Sequence, residues 1–95
     1  MSNPAAPIAR FVIEKELSIN NLSKKRQELL DFVGQEGLQI AELELRSMQS
    51  LDLAGVQAVL ALRKSAEERG VELRLVLDLD EPLQRMLANA GIRLG

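Results

Sequence analysis

The serines Ser18, Ser23, Ser47, Ser50 and Ser65 carry the hydroxyls through which this chain could do covalent chemistry, and Asp52 is the acid nearest to one of them. A serine attacks only when a base takes its proton. The chain has no histidine, and a Ser–Lys pairing cannot be placed from the sequence. With no cysteine either, thiol nucleophiles and nearly every transition-metal site are excluded. Asp78, Asp80 and Glu81 form an acidic cluster of the kind that attracts hard cations, but it lacks the ligand spacing of a calcium loop, and Asp80 stands where a helix needs a cap. The glycines match neither common phosphate-loop spacing. The residues therefore point to no catalytic site, no metal and no cofactor.

The stretch Ser50-Leu51-Asp52-Leu53-Ala54-Gly55-Val56 carries the most information. It joins an alternating, strand-like run to a long helix-like run. Open α/β sheets place their sites at such junctions, because the first backbone N–H groups of the helix are unpaired. Leu53 and Ala54 occupy the positions where a phosphorylated or catalytic hydroxyl would be expected, so the junction reads as a binding surface. Asp52 has two readings, a helix N-cap or an acid beside a phosphate or metal.

The elements that must position this junction follow from length and pattern. At 95 residues the chain is one domain, 46% hydrophobic and 27% charged, with a net charge of -2 that gives no reason to expect nucleic acid. The absence of cysteine excludes a disulfide scaffold and fits a reducing cytoplasm. Residues 1–7 resemble no signal peptide and read as a flexible arm, and no run is long and apolar enough for direct membrane insertion. The ordered domain is expected over 8–95.

Ile8 to Leu17 reads as a strand near an edge. Asn20 or Asn21 can cap a helix to about Gln35, ended by Gly34 and Gly37. Its first turn holds Lys24, Lys25 and Arg26, which oppose the helix dipole and make either a solvated face or a patch for an acidic partner. Leu38 to Arg46 and Val71 to Leu77 alternate with a period of two, which gives each strand a wet face and puts the helices on one side of the sheet only. Between them, Leu53 to Arg69 is the strongest helix, capped by Asp52 and stopped by Gly70, with Arg63–Glu67 and Lys64–Glu68 at pairing distance in sequence. Apolar residues surround most of its first half, which is either wholly buried or partly reserved for a partner. A third helix is expected from Glu81 to Ala90, with Pro82 in its first turn, and Ile92 to Leu94 can add a short terminal strand.

Taken in order, Ala41-Glu42-Leu43-Glu44-Leu45-Arg46, Leu51-Asp52-Leu53-Ala54-Gly55-Val56, Leu60-Ala61-Leu62-Arg63, Arg69-Gly70-Val71-Glu72-Leu73-Arg74-Leu75-Val76 and Leu83 to Ile92 resemble the STAS domain, named for sulfate transporters and anti-sigma-factor antagonists. The family shows a strand, then Asp-Ser-Ser-Gly or Asp-Thr-Gly/Ala-Gly opening a helix that ends in Arg-Gly before the next strand. Upstream, Glu16-Leu17-Ser18-Ile19 is similar to its Gly-Glu-Leu-Asp-Ile, with Ser18 in place of the acid. The resemblance covers roughly residues 11 to 94. It implies an α/β fold, a STAS-like mixed sheet of about four strands with helices on one face.

The resemblance also implies a non-enzymatic regulator. In antagonists of this family the second serine of Asp-Ser-Ser-Gly is phosphorylated by an anti-sigma kinase, and the unphosphorylated form binds that kinase and releases a sigma factor. Aligned on Asp52 and Gly55, that serine is Ala54 here and its neighbour is Leu53, so there is no phosphate acceptor at the usual position. The expectation is a cytoplasmic bacterial protein that binds an anti-sigma kinase-like protein or a related signalling complex through Ser18, Asn20, Asn21, Ser50, Asp52, Leu53, Ala54, Gly55 and Gln57. The alternative is the small STAS subunit of a bacterial phospholipid-transport ABC complex, whose partner is an ABC ATPase. That family keeps Asp-Thr-Gly-Gly, where this chain has Leu53. Modification of Ser47 or Ser50 instead would move control along the loop.

Overall fold

The computed structural model describes residues 7–94. Strands and helices alternate as β1 (Ile8–Leu17), α1 (Leu22–Val33), β2 (Ile40–Leu51), α2 (Leu53–Glu68), β3 (Glu72–Leu79) and α3 (Glu81–Asn89). Each βα connection returns the chain in the same direction, so β1 and β3 both pair with β2 in parallel, in the order β1-β2-β3. β1 lies at an edge, as its imperfect alternation predicts. The sheet is wholly parallel with three strands among the described residues, where a mixed sheet of about four was expected.

The missing fourth strand is explained at the C-terminus. After Gly91, whose φ of 70° suits glycine, the Ile92 N–H turns back to the Leu87 carbonyl at 2.9 Å. Leu94 is then buried in the core, and its carbonyl accepts a hydrogen bond from Arg63. The segment Ile92 to Leu94 is thus spent on covering the core and forms no strand. Arg63 is directed there, and neither the Arg63–Glu67 nor the Lys64–Glu68 pair forms among the described residues.

The core lies between one sheet face and the helices. Ile13, Leu43 and Leu45 of the sheet meet Phe32 and Val33 of α1, Val56, Val59 and Leu62 of α2, and Leu83 and Leu87 of α3. Phe11 and Phe32 stack tilted with centroids 5.5 Å apart, which ties α1 to β1. The opposite sheet face is wet. Arg10 pairs with Glu42 across strands at 2.7 Å, while Arg46–Glu44 and Arg74–Glu72 pair within their own strands at 2.9 and 2.6 Å. Parallel sheets are commonly covered on both faces, and here ionic side chains replace the second helix layer.

β2 runs five residues beyond its expected end at Arg46. The extension is hidden in the sequence because Ser47, at φ 49°, breaks the alternation and returns Met48 and Leu51 to the core. Lys15 in β1 has φ 69°, and the β1–β2 register slips between Glu14 and Glu16 beside it. Two irregularities side by side bend the C-terminal end of the sheet, as β-bulges do near functional sites.

Candidate functional site

Beyond the bend, β1 and β2 end together, with Glu16 opposite Ser50 and Leu17 opposite Leu51. The β1–α1 loop and the first turn of α2 therefore share one corner of the molecule. Asp52 joins them. Its Oδ1 accepts from the Gly55 N–H at 2.9 Å, the N-cap bond that starts α2, and its Oδ2 accepts from the Ile19 N–H of the other loop at 3.0 Å. The bond from Ile19 and then that from Gly55 hold the Asp52 carboxyl below its ordinary pKa, because both donors favour the charged form. Of the two readings of Asp52, the structure supports the cap, extended to clamp a second loop.

Gly55 allows the clamp to close. A Cβ at this position would run into the Leu17 carbonyl oxygen and stand 2.9 Å from Leu51 Cδ1, so only glycine lets α2 approach the end of β1 this closely.

The β1–α1 loop is folded by its own side chains. Asn21 occupies the N-cap position of α1 without a side-chain capping bond. Its Oδ1 accepts from the Ser18 N–H at 2.9 Å, and its Nδ2 donates to the Glu16 carbonyl at 2.7 Å. The Ser18 hydroxyl donates to the Glu16 carboxylate and accepts from the Asn20 N–H at 3.1 Å, while Asn20 Nδ2 also reaches Glu16, at 3.2 Å. Ser18 is buried, which corrects its expected role as a surface contact: it shapes the loop from inside. Gly55 is buried as well.

The nine expected residues thus divide by exposure. Asn20, Ser50, Leu53 and Gln57 are exposed, Asn21, Asp52 and Ala54 are half-buried, and Ser18 and Gly55 are inside. Two residues absent from the expectation complete the corner. Glu16 is the acceptor that organises the loop, and Ile19, 69% exposed, presents an aliphatic side chain on the same clamp as Leu53, 63% exposed. The sequence signal for Glu16 was its place two residues before Ser18, where one acid can serve a hydroxyl and an amide together.

From this corner an apolar groove of about 270 Å³ runs between α1 and α2, over Leu22, Leu30, Ala54, Gln57 and Ala61, with Arg26 on its α1 side. The first half of α2 is therefore not wholly buried. Val56, Val59 and Leu62 are core, while Leu53 and Leu60 remain outside. No group of three or more metal-ligating side chains occurs among the described residues. No helix of the described residues is long and apolar enough to cross a membrane.

The corner offers no hydroxyl at position 53 or 54, one carboxylate occupied by backbone amides, and an accessible aliphatic pair. In comparisons with known proteins, no curated protein and no solved structure matches the chain. The STAS domain family model matches residues 6–93. With the Asp52 junction, the βα order and this match over nearly its whole length, the chain belongs to the STAS domain family.

Proposed function

We propose that this STAS domain is a non-enzymatic regulator in the bacterial cytoplasm that works by binding a protein partner, in the manner of anti-sigma-factor antagonists, without phosphate at the usual position. The reading rests on the Asp52 clamp. It fixes two loops from within and leaves Ile19 and Leu53 exposed on a rigid base. Exposed aliphatic side chains on an ordered surface are the kind of anchor a standing interface uses. Ala54, half-buried next to Leu53 in the chain, has no oxygen to accept a phosphoryl group, so a family-type switch at this atom is chemically absent. The partner this reading names is a histidine-kinase-like anti-sigma protein.

The test pairs the purified protein with the anti-sigma protein of its own cell by calorimetry. Leu53→Asp is expected to abolish binding while keeping stability within about 0.5 kcal/mol of wild type, since the side chain is exposed. Mass spectrometry after incubation with ATP should find no phosphate within residues 50–56 of wild type, and Ala54→Ser should acquire one, since the N-terminus of α2 favours an anion. Stoichiometric phosphate on wild-type Ser47 or Ser50 overturns the constitutive reading. Failure to bind the anti-sigma protein, with capture of an ABC ATPase instead, favours the transport-subunit alternative.

A further inference from the structure

The two edges of the sheet are treated differently. On β1 the outer edge is broken by Lys15 at φ 69°, between Glu14 and Glu16, and a bulge with charges is how natural edges resist pairing. β3 has no such device. Its eight residues Glu72–Leu79 run without a positive-φ residue or a proline, and no strand pairs with its outer edge among the described residues. Leu73, Leu75, Leu77 and Leu79 all point toward the helix side yet stay half-buried, and a groove of about 490 Å³ beside Leu77, Leu79, Leu87 and Leu94 opens along its second half.

The backbone fixes which groups this edge presents. The Glu72 N–H donates to the Gln39 carbonyl and the Asp80 N–H to the Met48 carbonyl, so even-numbered residues turn their amides toward β2. The odd-numbered leucines therefore turn theirs outward. On the wet face, β3 reads Glu72, Arg74, Val76, Asp78. From this we infer that β3 pairs antiparallel with the β3 of a second copy of this chain, about a two-fold axis at Val76, to make one continuous sheet.

Charge selects that register. With Val76 opposite Val76 of the second copy, Arg74 faces Asp78 of the second copy, and the pair recurs across the axis. In this register Glu72 comes opposite Asp80 of the second copy, a residue past the end of β3 whose Oδ1 is held by the Leu83 N–H. Centring on Leu75 would instead set Glu72 against Asp78 within the strand and leave Arg74 facing Val76, and centring on Arg74 would set two arginines face to face. In the Val76 register, Leu75 faces Leu77 and Leu73 faces Leu79 of the second copy as hydrogen-bonded pairs, which uses the outward amides. Arg74–Asp78 and Val76–Val76 are the non-hydrogen-bonded pairs, where side chains come closest. Asp78 is prepared for this: its Oδ2 accepts from the Ser47 N–H at 3.0 Å, and its Oδ1 makes no hydrogen bond among the described residues. Arg74, now on exposed Glu72 within its own strand, needs only a change of rotamer to reach Asp78 of the second copy. The half-buried leucines of the two edges then close one apolar layer.

Sedimentation velocity of the full chain tests this. Wild type is expected to sediment as two chains at high micromolar concentration, while Arg74→Asp and Asp78→Arg, each placing like charges opposite one another, are expected to sediment as one. Mixing the two variants, or combining both changes in one chain, restores opposite charges and with them the dimer, a rescue that a merely unfolded variant would not show. The chain has no cysteine, so Val76→Cys places a single thiol beside its own copy, and mild oxidation is expected to give a covalent dimer. Val12→Cys, on the broken edge, is expected to give none. A wild-type monomer overturns the inference, as does a dimer indifferent to both charge reversals, which would be built on another surface.

Discussion

At the scale of single residues, Gly55 and Asp52 hold the candidate site, one by having no side chain and one by having two acceptor oxygens. Gly55→Ala forces a methyl group against the Leu17 carbonyl, backbone that cannot step aside. It is expected to cost about 1–3 kcal/mol, as overpacking does, read from denaturant unfolding. Asp52 acts through charge. Its pKa is lowered in the folded state, so its contribution is fully present above the ordinary aspartate range and is lost as pH falls through the lowered folded value. The Asp52 carboxyl is expected to titrate by NMR below a free aspartate, and the stability gap to Asp52→Asn should widen from acid to neutral pH. The capping role of Asp52 was legible in the sequence because a helix N-cap is a local requirement, whereas the need for glycine at position 55 comes from the Leu17 carbonyl on another strand and was not. The burial of Ser18 was not, since it depends on Glu16 folding back onto the loop, and neither was the exposure of Ile19, which depends on a bond to Asp52 from far along the chain.

At the scale of elements, all three helices and three strands could be read from periodicity and punctuation, with ends within a few residues except in β2. There Ser47 interrupts the alternation, and a period that changes phase at a bulge looks like a strand that has stopped. The terminal strand failed for a different reason: Ile92 and Leu94 have strand-like alternation, and the same alternation serves a tail laid on the core. α3 is the element most dependent on its cap. It has nine residues, two of them buried, and Asp80 accepts from the Leu83 N–H at 3.0 Å. Asp80→Ala is expected to cost about 1 kcal/mol, measured by chemical denaturation, and to speed amide exchange in Glu81–Asn89 before it affects α2. The ion pairs of the wet face are exposed and contribute little individually, so their removal should leave the sheet standing.

For the whole molecule, β2 is the centre through which everything else is joined. The chain distance from Ile8 to its partner Ile40 equals that from Ile40 to its partner Glu72, so the two halves are built on crossovers of the same span. Loop-closure entropy depends on that span alone and so gives neither half a head start in folding. The order of assembly then falls to side-chain content. The β1–α1–β2 half contains the Phe11–Phe32 contact and the fully buried Ile13, Leu17 and Val33, whereas every inward leucine of β3 remains half-buried. Contacts of the first half should accordingly be formed in the transition state, and those of β3 and α3 should come late. In stopped-flow experiments, Phe32→Leu is expected to slow refolding, while Leu83→Ala mainly speeds unfolding. A nascent chain would thus acquire its Asp52 corner before its third strand has docked, and the β3 edge would be the last surface to take shape and the first to be lost.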